Sequence, residues 1–447
     1  MKPNISPSTR RSVNRTAKPS IHQTIRSVVL WPGLRLFALF IFILQIGGCD
    51  GLAPSGSTFT EIASPAGSNS QSPRLSQDAN GNPLLSWIES EGGYAILKYS
   101  TMVQGQWSPP QEVARGDDWV LNGADTPSVV QLSNSLLAAH WLVENPAAPY
   151  AYDILVSHSL SNGKTWSNPL MPHTDGTATE HGFVNLYKGE NDQSYGVVWL
   201  DGRNASMQSP AGHGHNMSGV ALRSAIIGID GSVYDQQVVD DLVCDCCPTA
   251  LTRGPQGPVV AYRNRDETEQ RDIFYAQLRE GQWSTPSSVG FDDWHITGCP
   301  VNGPAIASSS DTVAVAWFTA AGGRKSVRLA VSRDGGQTFG LPIEVDHGDV
   351  GGRVSLAMDR AKQITVSWLT APVTNDPAQI RLATFSLTGK KLARVSQTSV
   401  ALETKKLNGI PVIAALGNGA GILVWTGGSV RSPKVRVFSW GSGLTEK

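Results

Sequence analysis

A short apolar segment that ends in an aromatic residue recurs seven times along the chain. The seven aromatic residues are Trp87, Trp141, Trp199, Tyr262, Trp317, Trp368 and Trp425. Successive members are separated by 54, 58, 63, 55, 51 and 57 residues. Self-similarity at this period, with several short strands in each unit, is typical of a β-propeller. The sequence therefore predicts an all-β fold, a seven-bladed β-propeller, over residues 58–447.

The order of strands within the repeats predicts how the ring closes. A third apolar strand usually follows each aromatic-ended segment, and a fourth begins after a Trp-Ser pair or its equivalent. The last unit stops near Trp440 without a fourth strand, whereas residues 58–63 resemble the fourth strand at residues 110–114. We therefore expect the N-terminal strand to complete the seventh blade, because an open sheet edge would promote aggregation.

Two of the repeats carry the same turn motif. Residues 332–339 read Ser-Arg-Asp-Gly-Gly-Gln-Thr-Phe, and residues 159–166 read Ser-Leu-Ser-Asn-Gly-Lys-Thr-Trp, with Ser161 in place of the aspartate. This motif resembles the Asp-box of the sialidase-like β-propeller superfamily. The resemblance implies a structural turn between the third and fourth strands, on the face away from the active site. It also implies an alternative six-bladed propeller, because known sialidases of this kind have six blades.

The resemblance leaves the activity open. Sialidases of this kind carry an Arg-Ile-Pro segment before the first blade, three arginines that hold the substrate carboxylate, and a Tyr/Glu nucleophile pair. The present sequence contains no Arg-Ile-Pro segment. An exo-glycosidase of sialidase type therefore stands as an alternative to a binding protein.

The first 57 residues have the pattern of an export signal followed by a tether. A basic segment precedes an apolar stretch of about 13 residues, which is too short to span a bilayer. Residues 46–49 read Ile-Gly-Gly-Cys and resemble the lipobox of bacterial lipoproteins. The resemblance implies a signal peptide over 1–48, a lipidated tether over 49–57 and acylation of Cys49. It places the protein in the bacterial cell envelope, anchored to a membrane on its extracytoplasmic side. An ordinary signal peptide with an incidental cysteine is the alternative.

The charge distribution argues against nucleic acid as a partner. Residues 1–49 hold seven of the 36 basic residues and none of the 37 acidic ones, which leaves 29 against 37 in the rest of the chain. Affinity for phosphate backbones comes from clustered Lys and Arg, and no such cluster follows Arg35. We expect an acidic, monomeric propeller that does not bind nucleic acid.

Unusual residues concentrate in the loops that a propeller places on one face, before the first strand and between the second and third strands of each blade. The candidates for ligand contacts are Arg203, Arg263, Arg265, Arg271, Trp294, His295 and Arg353. Guanidinium groups of this kind could bind carboxylates. A glycoside hydrolase needs two acidic groups. The acids nearest to these loops are Asp201, Asp266, Glu269 and Asp272.

Four cysteines fall in the same loops. Cys247 and Cys299 each precede a proline, and we expect both to open the first strands of neighbouring blades, with Cys244 and Cys246 just upstream. Cys246, Cys247 and Cys299 should then lie within bonding reach. In an exported protein an even number of cysteines favours disulfides. The alternatives are a redox-active thiol pair and a copper or zinc site. The residues that could join the cysteines as ligands are His181, His213, His215 and Met217.

Three functions fit these observations. The first is an envelope lipoprotein whose propeller binds a glycan, peptide or protein on one face. The second is the sialidase-type glycosidase, and the third is a metal-binding envelope protein.

Overall fold

The structure, a computed structural model, describes residues 59–205, 219–371, 377–389, 391–402 and 408–441. Within these ranges the chain forms 29 β-strands and a single short 3₁₀ helix at Ala321–Gly323. No helix in this part of the chain has the length and hydropathy needed to cross a bilayer. The strands form seven antiparallel sheets, so the predicted seven-bladed propeller is confirmed and the six-bladed alternative is wrong. The proposed signal peptide, the tether and Cys49 lie outside the described residues.

Strand β1 spans Phe59–Ile62 and belongs to the last blade. Blade one contains β2 (Ser70–Gln77), β3 (Pro83–Glu91), β4 (Tyr94–Val103), β5 (Gln106–Trp107) and β6 (Gln111–Gly116). Blade two contains β7 (Ser128–Gln131), β8 (Leu137–Glu144) and β9 (Tyr152–Ser159). Blade three contains β10 (His181–Lys188), β11 (Ser194–Asp201), β12 (Val220–Gly228) and β13 (Val233–Val243). Blade four contains β14 (Ala250–Gly254), β15 (Gly257–Arg263), β16 (Ile273–Arg279), β17 (Gln282–Trp283) and β18 (Ser287–Gly290).

The remaining three blades each have four strands. Blade five contains β19 (Ala305–Ser309), β20 (Thr312–Thr319), β21 (Ser326–Ser332) and β22 (Ile343–His347). Blade six contains β23 (Val350–Met358), β24 (Ile364–Thr370), β25 (Gln379–Thr388) and β26 (Lys391–Ala401). Blade seven contains β27 (Asn408–Gly417), β28 (Ala420–Ser429), β29 (Ser432–Trp440) and β1.

The repeated aromatic residues hold neighbouring blades together. Trp199 of blade three packs with Leu142 and Ile154 of blade two, and Trp317 of blade five packs with Val259 of blade four. Burying such a ring removes a large apolar area from water, but its indole N–H needs a partner. The Trp199 indole donates to Asp201 at 2.8 Å, and the Trp317 indole donates to a carboxylate at 2.6 Å. The aromatic residues that recur in the sequence therefore form contacts between neighbouring blades.

The ring closes as the sequence predicts. Strand β1 pairs antiparallel with β29, with Phe59 opposite Trp440 and Ile62 opposite Val437. The N-terminal strand thus supplies the outermost strand of blade seven, and β29 is covered on both sides.

The Asp-box forms the turn that the resemblance implies. The Asp334 carboxylate accepts the backbone N–H groups of Gln337 and Thr338 at 3.0 and 2.9 Å. Phe339 packs edge-on against Tyr275 of the neighbouring blade, with ring centroids 4.8 Å apart. In the second box, the Ser161 hydroxyl accepts the backbone N–H of Thr165 at 2.9 Å and shares a hydrogen bond with the Thr165 hydroxyl at 2.7 Å. Both boxes lie between the third and fourth strand positions of their blades and contribute to the fold.

Candidate functional site

A cavity of about 310 Å³ lies on the propeller axis, where the first strands of the blades meet. Its walls include residues of β2, β10, β14, β19, β23 and β27, together with the segment before β7. Amides and hydroxyls dominate the polar part of the wall, among them those of Gln71, Asn122, Asn185, Thr249 and Ser355. Among the described residues that line it, Arg74 is the only one with a charged side chain. The cavity therefore combines neutral hydrogen-bonding groups with one fixed positive charge.

The backbone around this cavity is bent at bulges in the first strands. Ser72, Phe183 and Arg353 adopt the left-handed region, with φ of 57°, 55° and 54°. The N–H of Ser72 donates to Thr426 Oγ1 at 3.2 Å, and the N–H of Arg353 donates to Asn302 Oδ1 at 2.7 Å. Left-handed non-glycine residues and β-bulges often lie beside binding sites. Here a polar side chain from the neighbouring blade holds each of these two bulges in place.

A buried carboxyl group lies directly behind the cavity wall. Asp125 is 1% exposed and lies between the lining residues Ala124 and Thr126. It accepts a hydrogen bond from the Tyr152 hydroxyl at 3.2 Å. Burial raises the pKa of Asp125 to about 7, although the N–H of Phe183, the Tyr152 hydroxyl and the charge of Arg74 act in the opposite direction. A carboxyl group that titrates near neutral pH can exchange a proton in a reaction.

This part of the site was not identifiable from the sequence. Arg74, Asp125 and Tyr152 belong to no motif, and they are separated along the chain by tens of residues. Only the positions of these residues in the repeat could have pointed to the site, because Asp125 precedes a first strand and Tyr152 opens a third strand. Those are the positions at which we expected functional residues, but neither residue type was unusual there.

Gly182 is required for the contact between Asp125 and Tyr152. A Cβ atom at this position would lie 2.0 Å from Asp125 Oδ2 and 2.7 Å from the Tyr152 ring. We expect Gly182→Ala to reduce the free energy of unfolding by about 2–3 kcal/mol, because both neighbours are buried and cannot move freely. Urea denaturation measures this loss.

Gly340→Ala is the matched control for this substitution. Its added Cβ would make only an ordinary contact, 3.5 Å from the Val331 carbonyl oxygen. We expect a change within about 0.5 kcal/mol there. Equal losses in the two variants would contradict the close packing described around Gly182.

Arg263, which the sequence predicts as a ligand contact, is instead part of the core. Arg263 is 1% exposed. Its guanidinium donates to the backbone carbonyls of Asn302, Arg271 and Phe318 at 2.9, 2.6 and 2.7 Å. The Trp294 ring lies 4.7 Å from its guanidinium carbon, and Trp294 is itself buried. Burial lowers the pKa of Arg263 to about 10. Both residues stabilise the junction of blades four and five.

The loop between β15 and β16 is held by its own charged residues. Glu269 accepts from Arg265 at 2.5 Å and from Arg271 at 2.7 Å. Asp266 accepts the backbone N–H groups of Thr268 and Gln270 at 2.8 and 2.9 Å. These arginines and acids, predicted as ligand contacts and catalytic groups, therefore pair with one another or with the backbone.

Asp272, predicted as a catalytic acid, and His295, predicted as a ligand contact, lie in different surroundings. The buried Asp272 carboxylate accepts the backbone N–H groups of Asp292, Asp293 and Trp294 at 3.1–3.2 Å. His295 is exposed and lies 3.4 Å from the Thr268 hydroxyl. Among the predicted ligand contacts, Arg353 alone directly precedes a cavity-lining residue, Val354. Burial lowers its pKa.

Asp201, Arg203 and His181 belong to a separate group of His, Asp and Arg side chains in blades two and three. Arg203 donates to both oxygens of Asp201 at 2.7 Å, and its Nη2 lies 3.2 Å from Asp175 Oδ1. Burial would raise the pKa of Asp201, but hydrogen bonds from Arg203 and Trp199 outweigh it and lower the pKa. His181 is fully buried and stacks on His173 with ring centroids 3.9 Å apart.

This His/Asp group has ligand types that bind metals, and the Arg203 guanidinium lies against two of its carboxylates. His181 Nε2 lies 3.3 Å from Asp175 Oδ2 and 3.9 Å from Asp201 Oδ2. Arg203 neutralises both carboxylates, and His173 Nε2 accepts the N–H of Ile154 at 3.3 Å. The other predicted metal ligands, His213, His215 and Met217, lie outside the described residues. A copper or zinc site remains a prediction.

The four cysteines come together, although not for the reason predicted. Cys244 lies at disulfide distance from Cys247, and Cys246 from Cys299, with Cα separations of 5.7 and 6.1 Å. Such separations suit disulfides.

The expected equivalence of Cys247 and Cys299 is wrong. Ala250 pairs with the residue before Tyr262, and Ala305 pairs with the residue before Trp317, so these two alanines are equivalent. Cys247 therefore corresponds to Asn302, because the loop before β19 carries Cys299 three residues further upstream.

The chain has distant likenesses among solved structures. No protein-family model matches the sequence, and no curated protein is significantly similar to it. Among solved structures, an α-L-arabinanase from Penicillium chrysogenum is 12% identical, with a TM-score of 0.41 over 86% of this chain and 97% of that one. The polysaccharide lyase Uly1 is 9% identical, with a TM-score of 0.47 over 83% and 89%. A Trypanosoma rangeli sialidase is 11% identical, with a TM-score of 0.42 over 86% of this chain and 59% of that one. At this level the likeness indicates no ligand or activity for this chain.

Proposed function

We propose that this protein is a binding module of the bacterial envelope, and that the axial cavity takes a small acidic glycan unit. The supporting observation is the single guanidinium of Arg74 in a cavity whose other polar lining groups are neutral. A guanidinium matches a carboxylate in charge and geometry, and amides and hydroxyls match sugar hydroxyls. The volume of about 310 Å³ is at the small end of ligand pockets, which favours a ligand of one or two sugar rings.

Titration calorimetry with sialic acid and glucuronic acid, and with their neutral analogues, tests this proposal. We expect an acidic sugar to bind the wild type, and Arg74→Met to weaken that binding at least tenfold, since hydrogen bonds to charged groups contribute about 1.5–3 kcal/mol. Arg360→Met is the matched control, because Arg360 is exposed and lies outside the cavity wall, where it donates to the Asn80 carbonyl. Equal affinity for acidic and neutral sugars, or equal affinity in the wild type and Arg74→Met, would contradict it.

We also propose that the protein is held at a membrane by acylation of Cys49. The support is the agreement between the lipobox and the short polar segment that follows it. Two or three acyl chains are enough for stable attachment. Labelling cells with a clickable fatty acid should mark the wild type and leave Cys49→Ser unmarked; equal labelling of both would overturn this part.

A second candidate is a glycoside hydrolase, which one observation favours. The pKa of Asp125 is raised to about 7, in the range of a general acid, and the Tyr152 hydroxyl donates to its carboxylate. The four acids predicted from the sequence are less suitable, because their oxygens are held by arginines or backbone N–H groups. A fluorogenic sialoside assay tests the hydrolase function. Turnover by the wild type that is lost in Asp125→Asn would support it, and absence of turnover in the wild type would count against it for that substrate.

A further inference from the structure

The four cysteines form two pairs that differ in their exposure. We call Cys244 and Cys247 the inner pair, because each is 1% exposed. Cys246 and Cys299, the outer pair, are both partly exposed. The two pairs are in contact, since the Sγ atoms of Cys244 and Cys246 lie 3.9 Å apart. This contact therefore links the buried inner pair to the partly exposed outer pair.

A buried positive charge lies against the inner pair. Arg271 is 2% exposed, and its Nη1 lies 3.4 Å from Cys244 Sγ. Its Nη2 pairs with Glu269 at 2.7 Å, and its Nη1 lies 3.5 Å from Asp245. A neighbouring guanidinium favours the thiolate form of a cysteine, which is the nucleophile in disulfide exchange. Cys244 is therefore the thiol best placed to react, and the sulfur nearest to it in the outer pair belongs to Cys246.

We propose that these cysteines form an intramolecular thiol–disulfide relay between the inner and outer pairs. With the inner pair reduced, the Cys244 thiolate attacks Cys246 of the outer disulfide, forms a Cys244–Cys246 bond and releases the Cys299 thiolate. The Cys247 thiolate then attacks Cys244, forms the inner disulfide and releases Cys246. Two electrons and two protons pass from the inner dithiol to the outer one, and the reverse sequence uses the same bridge.

The outer pair exchanges with a second protein, because Cys246 and Cys299 are the partly exposed members of the four described cysteines. The partner is a protein that carries a reactive cysteine pair. As a dithiol, it reduces the outer disulfide and becomes a disulfide itself; as a disulfide, it oxidises the outer dithiol. The relay therefore needs no bound cofactor, and it is independent of the ligand proposed for the axial cavity.

The Cys247→Ser variant tests the bridging step directly. It leaves the Cys244 thiol free beside the outer disulfide. We expect the full-length oxidised protein to convert, at least in part, to the Cys244–Cys246 bridge. Alkylation of the native protein followed by mass spectrometry of the non-reduced digest should then find Cys299 alkylated and Cys244 and Cys246 blocked. Cys247→Ala gives the same readout if the serine variant does not fold.

Reduction by thioredoxin, used as a dithiol probe, tests the order of the two pairs. The wild type should expose four thiols, and Cys244→Ser/Cys247→Ser should expose its two at the wild-type rate. Cys246→Ser/Cys299→Ser should expose its two at least tenfold more slowly. The relay is overturned if the inner pair reacts equally fast without the outer pair, or if Cys299 stays blocked in both Cys247 variants. Purification of the wild type with four free thiols and one bound metal ion would also overturn it.

Discussion

The Arg263→Met variant is expected to lose about 5 kcal/mol of unfolding free energy, the largest single-residue effect that we predict. Methionine keeps much of the volume but leaves the carbonyls of Asn302, Arg271 and Phe318 without their donors. Each buried polar group left without a partner costs about 1–3 kcal/mol. The contact between the guanidinium and the Trp294 ring is also lost. Urea denaturation monitored by circular dichroism measures the change.

Arg265→Met is the control for this prediction. Arg265 lies two residues away, and its side chain pairs with Glu269 at 2.5 Å. Glu269 keeps its ion pair with Arg271 when Arg265 is replaced, and no backbone carbonyl loses a donor, so we expect a clearly smaller loss than at Arg263. Similar losses at Arg263 and Arg265 would show that the Arg263 guanidinium does not hold the junction of blades four and five.

The second large effect is a pH dependence caused by Asp125. Its pKa is about 7 in the folded protein against 3.8 for an unperturbed side chain, so its protonated form stabilises the fold. This contribution is fully present below about pH 4 and is lost as the pH rises through 7, where the folded carboxyl ionises. One pKa unit corresponds to about 1.4 kcal/mol, so the contribution is up to about 4 kcal/mol.

The comparison between wild type and Asp125→Asn isolates this contribution. Asparagine keeps the size of the side chain and does not titrate, so we expect the wild type to lose stability relative to Asp125→Asn between pH 4 and pH 8. Tyr152→Phe removes one donor to the carboxylate and should strengthen the effect. A stability difference between wild type and Asp125→Asn that is constant over this range would contradict the raised pKa.

The fold was predictable because its signals are periodic and local. Trp87, Trp199, Trp317 and Trp368 recur at blade spacing because each fills the same interface between two blades. The closure by β1 was predictable for a related reason, since a missing strand at one end of the repeats matched an extra strand at the other.

The site was less predictable because the role of a charged residue depends on its partners. Arg263 ends the second strand of blade four, and Arg74 lies in the first strand of blade one. Nothing in the sequence shows that Arg263 donates to three carbonyls whereas Arg74 lines a cavity. Asp125 differs from the predicted Asp272 only in its surroundings. Asp272 accepts several backbone N–H groups, whereas Asp125 is buried with fewer donors and keeps a raised pKa.

The pairing of β1 with β29 also affects the time course of folding. Phe59 bonds to a strand that is synthesised last, so the ring cannot close until nearly all of the described chain has been made. Contacts between distant parts of a chain form slowly, because the chain loses conformational entropy in closing the loop before the contacts can stabilise it. We therefore expect a late closing step, before which the growing propeller is an open arc with exposed strand edges. A chain that ends before β29 would never pass this step, and would remain accessible to proteases that the closed ring resists.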